Sequence, residues 1–251
     1  MAHKPKILLF DIEITPSLGY TWGKYQQDVI EFNKDWYFLC FAYKWLGSQQ
    51  VRACSLPDFP LYKKDKENDY ELIKKLWELF DKAEIICGHN CDEFDIKKAN
   101  ARFAVHGLKP PTPFKSIDTL KIAKRHFQFT SNKLGDLAKH FGLGQKLNTG
   151  GFELWRGCMI GDKKSWKKMV EYNKQDVVLL EKLYRLFQPW AVAHPNLNIY
   201  GEKNDCPGCG SPRMWRRGFD VTRVSKCQKY QCQDCGRWSY GKRIRTNVKI
   251  R

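Results

Sequence analysis

Apolar and polar positions along this chain recur with two periods, one near 2 and one near 3.6, and the switches between them mark out its elements. Lys6 to Ile14 is an apolar run rich in β-branched residues, which predicts a strand buried for most of its length. After a loop containing Pro16, Tyr37 to Trp45 and Gln50 to Leu56 predict two more strands, with Leu46, Gly47 and Ser48 turning between them in hairpin fashion. These three successive strands are expected to run antiparallel. Lys63 to Asn68 is a solvated charge run; beyond it Leu72, Ile73, Leu76, Leu79 and Phe80 recur at the spacing of one helical face and predict a helix over Asp69 to Lys82. Glu84 to Gly88 reads as a short strand, Asp92 to about Val105 as a helix stopped by Gly107, Lys115 to Asp118 as a short strand, and Thr119 to Phe127 as a helix. Ser131 is the expected cap of a helix over Lys133 to Phe141, closed by Gly142. The last helix spans Lys163 to Phe187, where Met169, Tyr172, Asp176, Val177, Leu180 and Leu183 recur at helical spacing. Three strands followed by alternating helices and strands predict a mixed α/β layer. Pro189, Pro195 and residues 196–198 break the periodicity, so the expected division is a domain over 1–190, a linker over 191–202 and a second unit over 203–251.

Composition narrows the partners. Hydrophobic residues are 42% of the 251 and aromatics 14%, enough to bury a sheet and too many for a disordered chain. The net charge is +17, and Lys203 to Arg251 holds thirteen Lys/Arg against Asp205, Asp220 and Asp234, a share of +10. A polyanion is the natural partner, and nucleic acid rather than a membrane surface, because no long basic amphipathic helix is present. No apolar run approaches the roughly 18 residues of a transmembrane helix and no signal-type apolar stretch opens the chain, so a cytoplasmic protein is expected. Of ten cysteines, four form two CxxC pairs and six (Cys40, Cys54, Cys87, Cys91, Cys158, Cys227) are scattered, which suits free thiols plus one metal site rather than disulfides.

Three groups of residues carry chemistry. Asp11 and Glu13 are two apart on a strand and leave the same face, where two carboxylates repel unless cations neutralise them, and hard divalent ions with oxygen ligands do so. Gly88-His89-Asn90-Cys91-Asp92-Glu93-Phe94-Asp95 lies where a short strand ends and a helix begins, a place from which a carboxylate can be aimed back over the sheet edge. In the last helix Tyr172 and Asp176 are four apart and project from one face, and an Asp among Met169, Val177 and Leu180 breaks the apolar pattern expected there.

Taken in order, a strand with DxE, a junction with HNxxxFD and a late helix with YxxxD resemble the DEDD superfamily of 3′ to 5′ exonucleases, in its tyrosine-bearing subgroup, built on the RNase H-like fold. The match runs from Lys6 to Phe187, about three quarters of the chain. Stand-alone exonucleases of phage type are especially similar, because Asp11-Ile12-Glu13 is followed by a Tyr/Trp-rich segment from Tyr20 to Trp45. The resemblance implies two Mg²⁺ or Mn²⁺ ions held by Asp11, Glu13, Asp95 and Asp176, with Tyr172 orienting the attacking water; a Tyr hydroxyl with an ordinary pKa near 10 is better suited to orientation than to general-base work. It also places Asn90 and Phe94 beside the site and Ile12 near the terminal base, although core packing is the better reading for Phe94 and the default for Ile12. His89 is read as structural, and Asp118 as an N-cap. The segment between Asp11 and Asn90 is longer than in the family. Glu153, Trp155 and Arg156, in a Gly-rich stretch over Thr149 to Gly157, are read as a surface loop within reach of substrate.

Cys206-Pro207-Gly208-Cys209-Gly210 and Cys232-Gln233-Asp234-Cys235-Gly236 are two CxxCG knuckles separated by 22 residues. Four thiolates with no open position predict one structural Zn²⁺ in a zinc ribbon, with Cys227 spare. A unit this short needs the metal to fold. Its Arg216, Arg217, Trp238 and Arg243 pair phosphate-seeking charge with stacking faces and are candidate substrate-binding residues. The sequence thus predicts an RNase H-like mixed sheet flanked by helices plus a small four-cysteine zinc ribbon, acting as a 3′ to 5′ exonuclease on DNA rather than RNA, at single-stranded or frayed ends. An exoribonuclease, a structure-selective endonuclease and an idle binding protein are the alternatives. Replication or repair proteins are further candidate partners, with no motif to name one.

Overall fold

The computed structural model describes residues 5–25, 28–200 and 204–245. Strand β1 (Ile7–Ile14) leads into a short hairpin of β2 (Leu18–Tyr20) and β3 (Glu31–Lys34), followed by β4 (Phe38–Trp45), β5 (Arg52–Ser55) and helix α1 (Tyr70–Lys82). Next come β6 (Ile85–Gly88), α2 (Asp95–Val105), β7 (Lys115–Asp118), α3 (Thr119–His126), α4 (Leu134–His140), α5 (Phe152–Ile160) and the long α6 (Lys163–Phe187). The C-terminal part adds β8 (Met214–Val221), β9 (Ser225–Cys232), β10 (Trp238–Tyr240) and β11 (Ile244–Arg245).

The main sheet has the order β5-β4-β1-β6-β7. β1, β4 and β5 are antiparallel as expected, while β6 and β7 join parallel to β1, which requires α2 to cross over between them. This is an α/β mixed sheet flanked by helices, RNase H-like, with a smaller four-stranded sheet of β8 to β11 centred on β9. Among the described residues no helix is long and apolar enough to cross a membrane.

Alternation along β1 explains how the layers form. Leu8, Phe10 and Ile12 point into a core shared with Leu72, Ile73, Leu76 and Phe80 of α1 and Ala99 and Phe103 of α2, where the Phe10 and Phe80 rings meet edge to face at 5.0 Å. Ile7 and Leu9 point the other way, against Val177, Leu180 and Tyr184 of α6. A third cluster joins Leu179, Leu183 and Phe187 of α6 to Ala123 of α3 and Leu134 and Leu137 of α4. α6 therefore spans the sheet's second face and also ties down the α3 and α4 layer.

Three stretches differ from the sequence reading. The loop after Pro16 is a two-stranded hairpin whose Tyr20, Trp22, Tyr25 and Phe32 are exposed, so it lacks the half-buried alternation that marks a strand. The Gly-rich stretch before α6 is helical from Phe152 and not a surface loop: Leu154 and Cys158 are buried, and Gly157 lies so close to Ser165 of α6 that a Cβ there would sit 2.1 Å from its Oγ. The helix after Gly88 begins at Asp95 rather than Asp92, because the chain first makes a turn through Asn90 at φ 68°, in the left-handed region that Asn tolerates.

Candidate active site

Along β1 the face that begins apolar with Ile7 and Leu9 continues with Asp11 and Glu13. Along α6, read toward its N-terminus, the facing side changes in step from Tyr184, Leu180 and Val177 to Asp176, Asn173 and Tyr172. The two switches coincide, and carboxylate oxygens of Asp11, Glu13 and Asp176 come within 4.8 Å of one another. Asp95, at the first turn of α2, reaches the same strand from the other side, and the Ile12 amide donates to its Oδ1 at 3.3 Å. Gly88 makes that approach feasible: a Cβ there would fall 2.4 Å from the Cys91 Cβ.

The polar shell around the cluster is specific. Asn173, fully buried, donates from Nδ2 to Asp11 Oδ2 at 2.7 Å and to the Asp11 carbonyl at 3.2 Å. Lys146 sits between Tyr172 and Asp176, its ammonium 2.7 Å from Asp176 Oδ2 and donating to the Tyr172 hydroxyl at 2.6 Å. Trp155 of α5 stands edge-on to the Tyr172 ring at 6.3 Å and brings its indole N–H within reach of the Glu13 carboxylate. Sequence reasoning missed Lys146 and Asn173. Lys146 lies in a non-periodic stretch, and Asn173 is an ordinary polar residue in sequence, between Tyr172 and Asp176 on the helix face that packs on β1.

Burial and mutual repulsion set the electrostatics. Burial, then Asp95, Glu13 and Asp176, hold the Asp11 carboxyl well above the usual carboxylate range, against the pull of Lys146. Burial and Asp176 push Glu13 up to about 8, with Lys146 and the Trp155 indole partly offsetting them. Asp95 is raised to about 7 chiefly by burial, although two backbone N–H groups favour its charged form. Asp176 is raised by burial despite Lys146 and Tyr172. Lys146 itself is raised: burial lowers it, and the Asp176 carboxylate and Tyr172 hydroxyl more than offset that. Four carboxyls held up in one place want added positive charge, and Asp176 Oδ1 is buried with no hydrogen-bond partner among the described residues. An all-oxygen set with an orphaned buried oxygen fits a hard divalent ion.

A groove of roughly 1010 Å³ is lined by Asp11 and Asp176 and by residues of α3 and α4, with Lys124, Lys133 and Lys139 among its walls. On the Glu13 side a shallower recess of roughly 330 Å³ is walled by Ile14, Thr15, Pro16, Phe152 and Trp155. His89 is structural: its ring nitrogens lie 2.9 Å from the Thr119 hydroxyl and the Asn132 carbonyl, and burial lowers its pKa. Asn90 lines the groove mouth. Phe94 is 39% exposed at the start of α2 rather than in the core, which leaves its ring open at the surface. Ile12 is 4% exposed within the β1 core, so its side chain is packing and not a base contact. Asp118 caps α3 through the Leu120 and Lys121 amides and also accepts from the Asn90 and Asp92 amides. With Cys91 and Asp92 it forms a second compact group, but those bonds, and Lys121 on Asp92 at 2.7 Å, already use the carboxylates.

At the C-terminus Cys206, Cys209, Cys232 and Cys235 converge, with Cys206 and Cys235 sulfurs 3.6 Å apart and Cys209 and Cys232 sulfurs 3.7 Å apart. A tetrahedral ion at the Zn–S length of about 2.3 Å requires sulfur separations of about 3.8 Å, so the four thiols are at ligand spacing rather than disulfide spacing. Cys227 stands outside the group, its thiol 3.8 Å from Asp220. Of the predicted binding residues, Arg216 and Arg217 are exposed and Trp238 is 46% exposed, whereas Arg243 is committed to Asp220 at 2.6 Å and to the Ser225 hydroxyl at 3.1 Å. The unit is fastened to the end of α6. Gln188 donates to the Gly208 carbonyl at 2.9 Å, and Arg237 donates to the carbonyls of Gln188 and Ala191.

Acidic residues are thus gathered on the central strand and the closing helix of an RNase H-like sheet. Residues 39–188 match the RNase_H superfamily, and the chain belongs to that superfamily. The matched stretch holds Asp95, Tyr172 and Asp176 and begins after β1, so Asp11 and Glu13 join them by geometry. Protein NEN3 of Arabidopsis thaliana is 33% identical over 78 residues, which make up 30% of this chain and 15% of that protein. The family B DNA polymerase from the hyperthermophilic archaeon Pyrobaculum calidifontis shares the fold with a TM-score of 0.56 at 15% identity, over 88% of this chain and 32% of the polymerase chain. The chain therefore corresponds to a minor part of either relative.

Proposed function

We propose that the chain is a metal-dependent 3′ to 5′ exonuclease of the DEDD type, tyrosine subgroup, acting on single-stranded or frayed ends of DNA. In this reading residues 1–190 are the exonuclease domain, 191–202 a linker and 203–251 a zinc ribbon that helps hold the strand. The observation that carries it is the meeting of Asp11, Glu13 and Asp176, with Asp176 Oδ1 unpartnered among the described residues, beside a lysine-lined groove.

Asp11, Glu13, Asp95 and Asp176 are the residues that would hold two Mg²⁺ or Mn²⁺ ions. Such ions supply Lewis-acid polarisation of the phosphodiester and a more acidic water. The protein's own groups do the positioning. Tyr172, its hydroxyl held by Lys146, orients a water by hydrogen bonding. Its own pKa is raised by burial and by Asp176, so it stays protonated and does not act as the base. Asn173 locks the rotamer of Asp11. Lys124, Lys133 and Lys139 provide the phosphate-binding side of the groove. DNA is preferred because the structural neighbour is a DNA polymerase.

The test uses one oligonucleotide labelled in turn at each end, as DNA and as RNA, with Mn²⁺. Early release of the 3′ label as a mononucleotide, with the 5′ label in a shortening ladder, supports the reading. Internal fragments, early 5′-label release or cleavage of RNA alone would replace it with an endonuclease, the opposite polarity or an exoribonuclease respectively.

A further inference from the structure

Register in the C-terminal sheet sorts its aromatic residues by face. Trp215 pairs with Gln231 on one side of β9, and Trp238 pairs with the same Gln231 on the other. Lys229 and Tyr240 pair two residues further along the same ladder, beyond the pair of Tyr230 with Ser239. Opposed residues in an antiparallel ladder project to one face, and so do residues two apart on a strand. Trp215, Trp238 and Tyr240 therefore stand together, at 52%, 46% and 63% exposure. Tyr230 and the metal-binding Cys232 alternate with them and lie on the opposite face, where the Tyr230 ring packs against Gly241. The three rings are thus not the unit's small core.

Charge says what covers them. Between Asn204 and Arg245 there are ten Lys/Arg and three Asp. Asp234 and Asp220 are taken by Arg213 and Arg243, while Arg216, Arg217, Lys229, Lys242 and Arg245 make no ion pair among the described residues. The Arg217 guanidinium lies 5.8 Å from the Trp215 ring centroid, and Lys229 stands beside Tyr240. Flat rings interleaved with free cations suit a ligand that offers flat faces and negative charge together. Trp238 and Tyr240 are about 7 Å apart along their strand, and Trp215 is two strand spacings, roughly 9.5 Å, away. A sheet face of this kind can stack two or three unpaired bases, which a duplex, with its bases already stacked inward, cannot offer.

We propose that the face bearing Trp215, Trp238 and Tyr240 is a stacking platform for two or three consecutive bases of single-stranded nucleic acid, with Arg217 and Lys229 on the flanking phosphates. This deepens the ribbon's part in the proposed function and rests on it for the fate of the strand, though not for the binding itself.

The experiment titrates the full chain in EDTA, where no cleavage is read, against labelled oligo-dT of about ten nucleotides and a matched duplex. Trp215→Leu, Trp238→Leu and Tyr240→Leu are each expected to weaken single-strand binding about tenfold, leaving the salt slope and duplex binding unchanged. Arg217→Ala and Lys229→Ala should lower the salt slope by about one each. Zinc content reports folding, and Trp238→Phe, which keeps a stacking ring, should bind within about threefold of the parent. Leucine variants that keep zinc and bind the single strand unchanged, or that lose single strand and duplex equally, overturn the proposal. So does a Trp238→Phe chain that keeps zinc yet binds as weakly as Trp238→Leu. Failure of the nuclease reading would appear only in cleavage assays and would leave this result intact.

Discussion

The Lys146 ammonium lies 2.7 Å from Asp176 Oδ2 and, at 2.6 Å, also holds the Tyr172 hydroxyl, so one cation from a loop fixes two groups presented by α6. It offsets part of what burial and mutual repulsion impose on Asp11, Glu13 and Asp176, and it leaves Asp176 Oδ1 without a hydrogen-bond partner among the described residues.

Removing that cation separates its two effects. In Lys146→Met, the metal-free chain should lose about 1–2 kcal/mol at neutral pH, a figure discounted because the lysine side chain is 36% exposed. Turnover should fall by about a hundredfold or more, with little change in KM, because Tyr172 is no longer held. Chemical denaturation in EDTA and steady-state kinetics in Mn²⁺ check the two parts. A variant with full kcat would remove Lys146 from the mechanism.

Trp155→Phe keeps a ring against Tyr172 and deletes the indole N–H near Glu13. That N–H favours the ionised carboxylate, so its loss should move Glu13 further above about 8. Because protons and metal compete for the same oxygens, the expected outcome is an apparent Mn²⁺ affinity that is down several-fold at pH 7 and approaches that of the parent near pH 9. A drop of equal size at every pH would mean that the ring, not the hydrogen bond, matters.

Stability of the metal-free chain should depend on pH with an unusual sign. Glu13 moves from 4.5 to about 8 and Asp95 from 3.8 to about 7 on folding. The folded state therefore binds protons that the unfolded state has released, and these two groups favour folding below about pH 4 and lose that advantage as pH rises through 7 to 8. In EDTA the Tm should fall by about 3 °C or more between pH 6 and 8.5, and Mn²⁺ should restore more at pH 8.5 than at pH 6, because protons and metal compete for the same oxygens. A Tm that rises across this window in EDTA, or a metal effect independent of pH, contradicts the arrangement.

Zinc removal should act at a distance. Gln188, on the turn just after α6, donates to the Gly208 carbonyl within the first cysteine knuckle, and Arg237, just after the second, donates to the carbonyls of Gln188 and Ala191. Cys209→Ser should unfold the β8 to β11 sheet and weaken nucleic-acid binding, while the RNase H-like sheet, with three apolar clusters of its own, should stay folded with a Tm a few degrees lower. Zinc analysis with thermal unfolding monitored by circular dichroism checks it. Loss of all helical signal would show that the two parts do not fold separately.

The parts of the fold that the sequence foretold were those in which burial imposes a period. β1, β4, α1 and α6 each bury a continuous stripe, so their apolar spacing is visible and their ends are close to the predicted ones. The β2 and β3 hairpin buries almost nothing, and α5 is nine residues long behind two glycines at positive φ, so neither leaves a period to read. The acidic residues stood out because Asp11 and Asp176 interrupt apolar stripes. Lys146 and Asn173 did not, since a lysine in a loop and an asparagine on a helix are ordinary until the fold sets them against Asp176 and Asp11. For Ile12 the family resemblance offered a base contact, but alternation along β1 turns it into the core, its default reading.

The most direct measurement compares the parent chain with Asp11→Ala and Asp176→Ala, scoring both hydrolysis of single-stranded DNA in Mn²⁺ and binding of the same strand in EDTA. Hydrolysis that requires the ion and disappears in both variants, while binding stays within a few-fold of the parent, is the expected result. Undiminished hydrolysis in either variant, or a parent chain that binds the strand and never cuts it with any divalent ion, would mean that the carboxylates on β1 and α6 are not a nuclease centre.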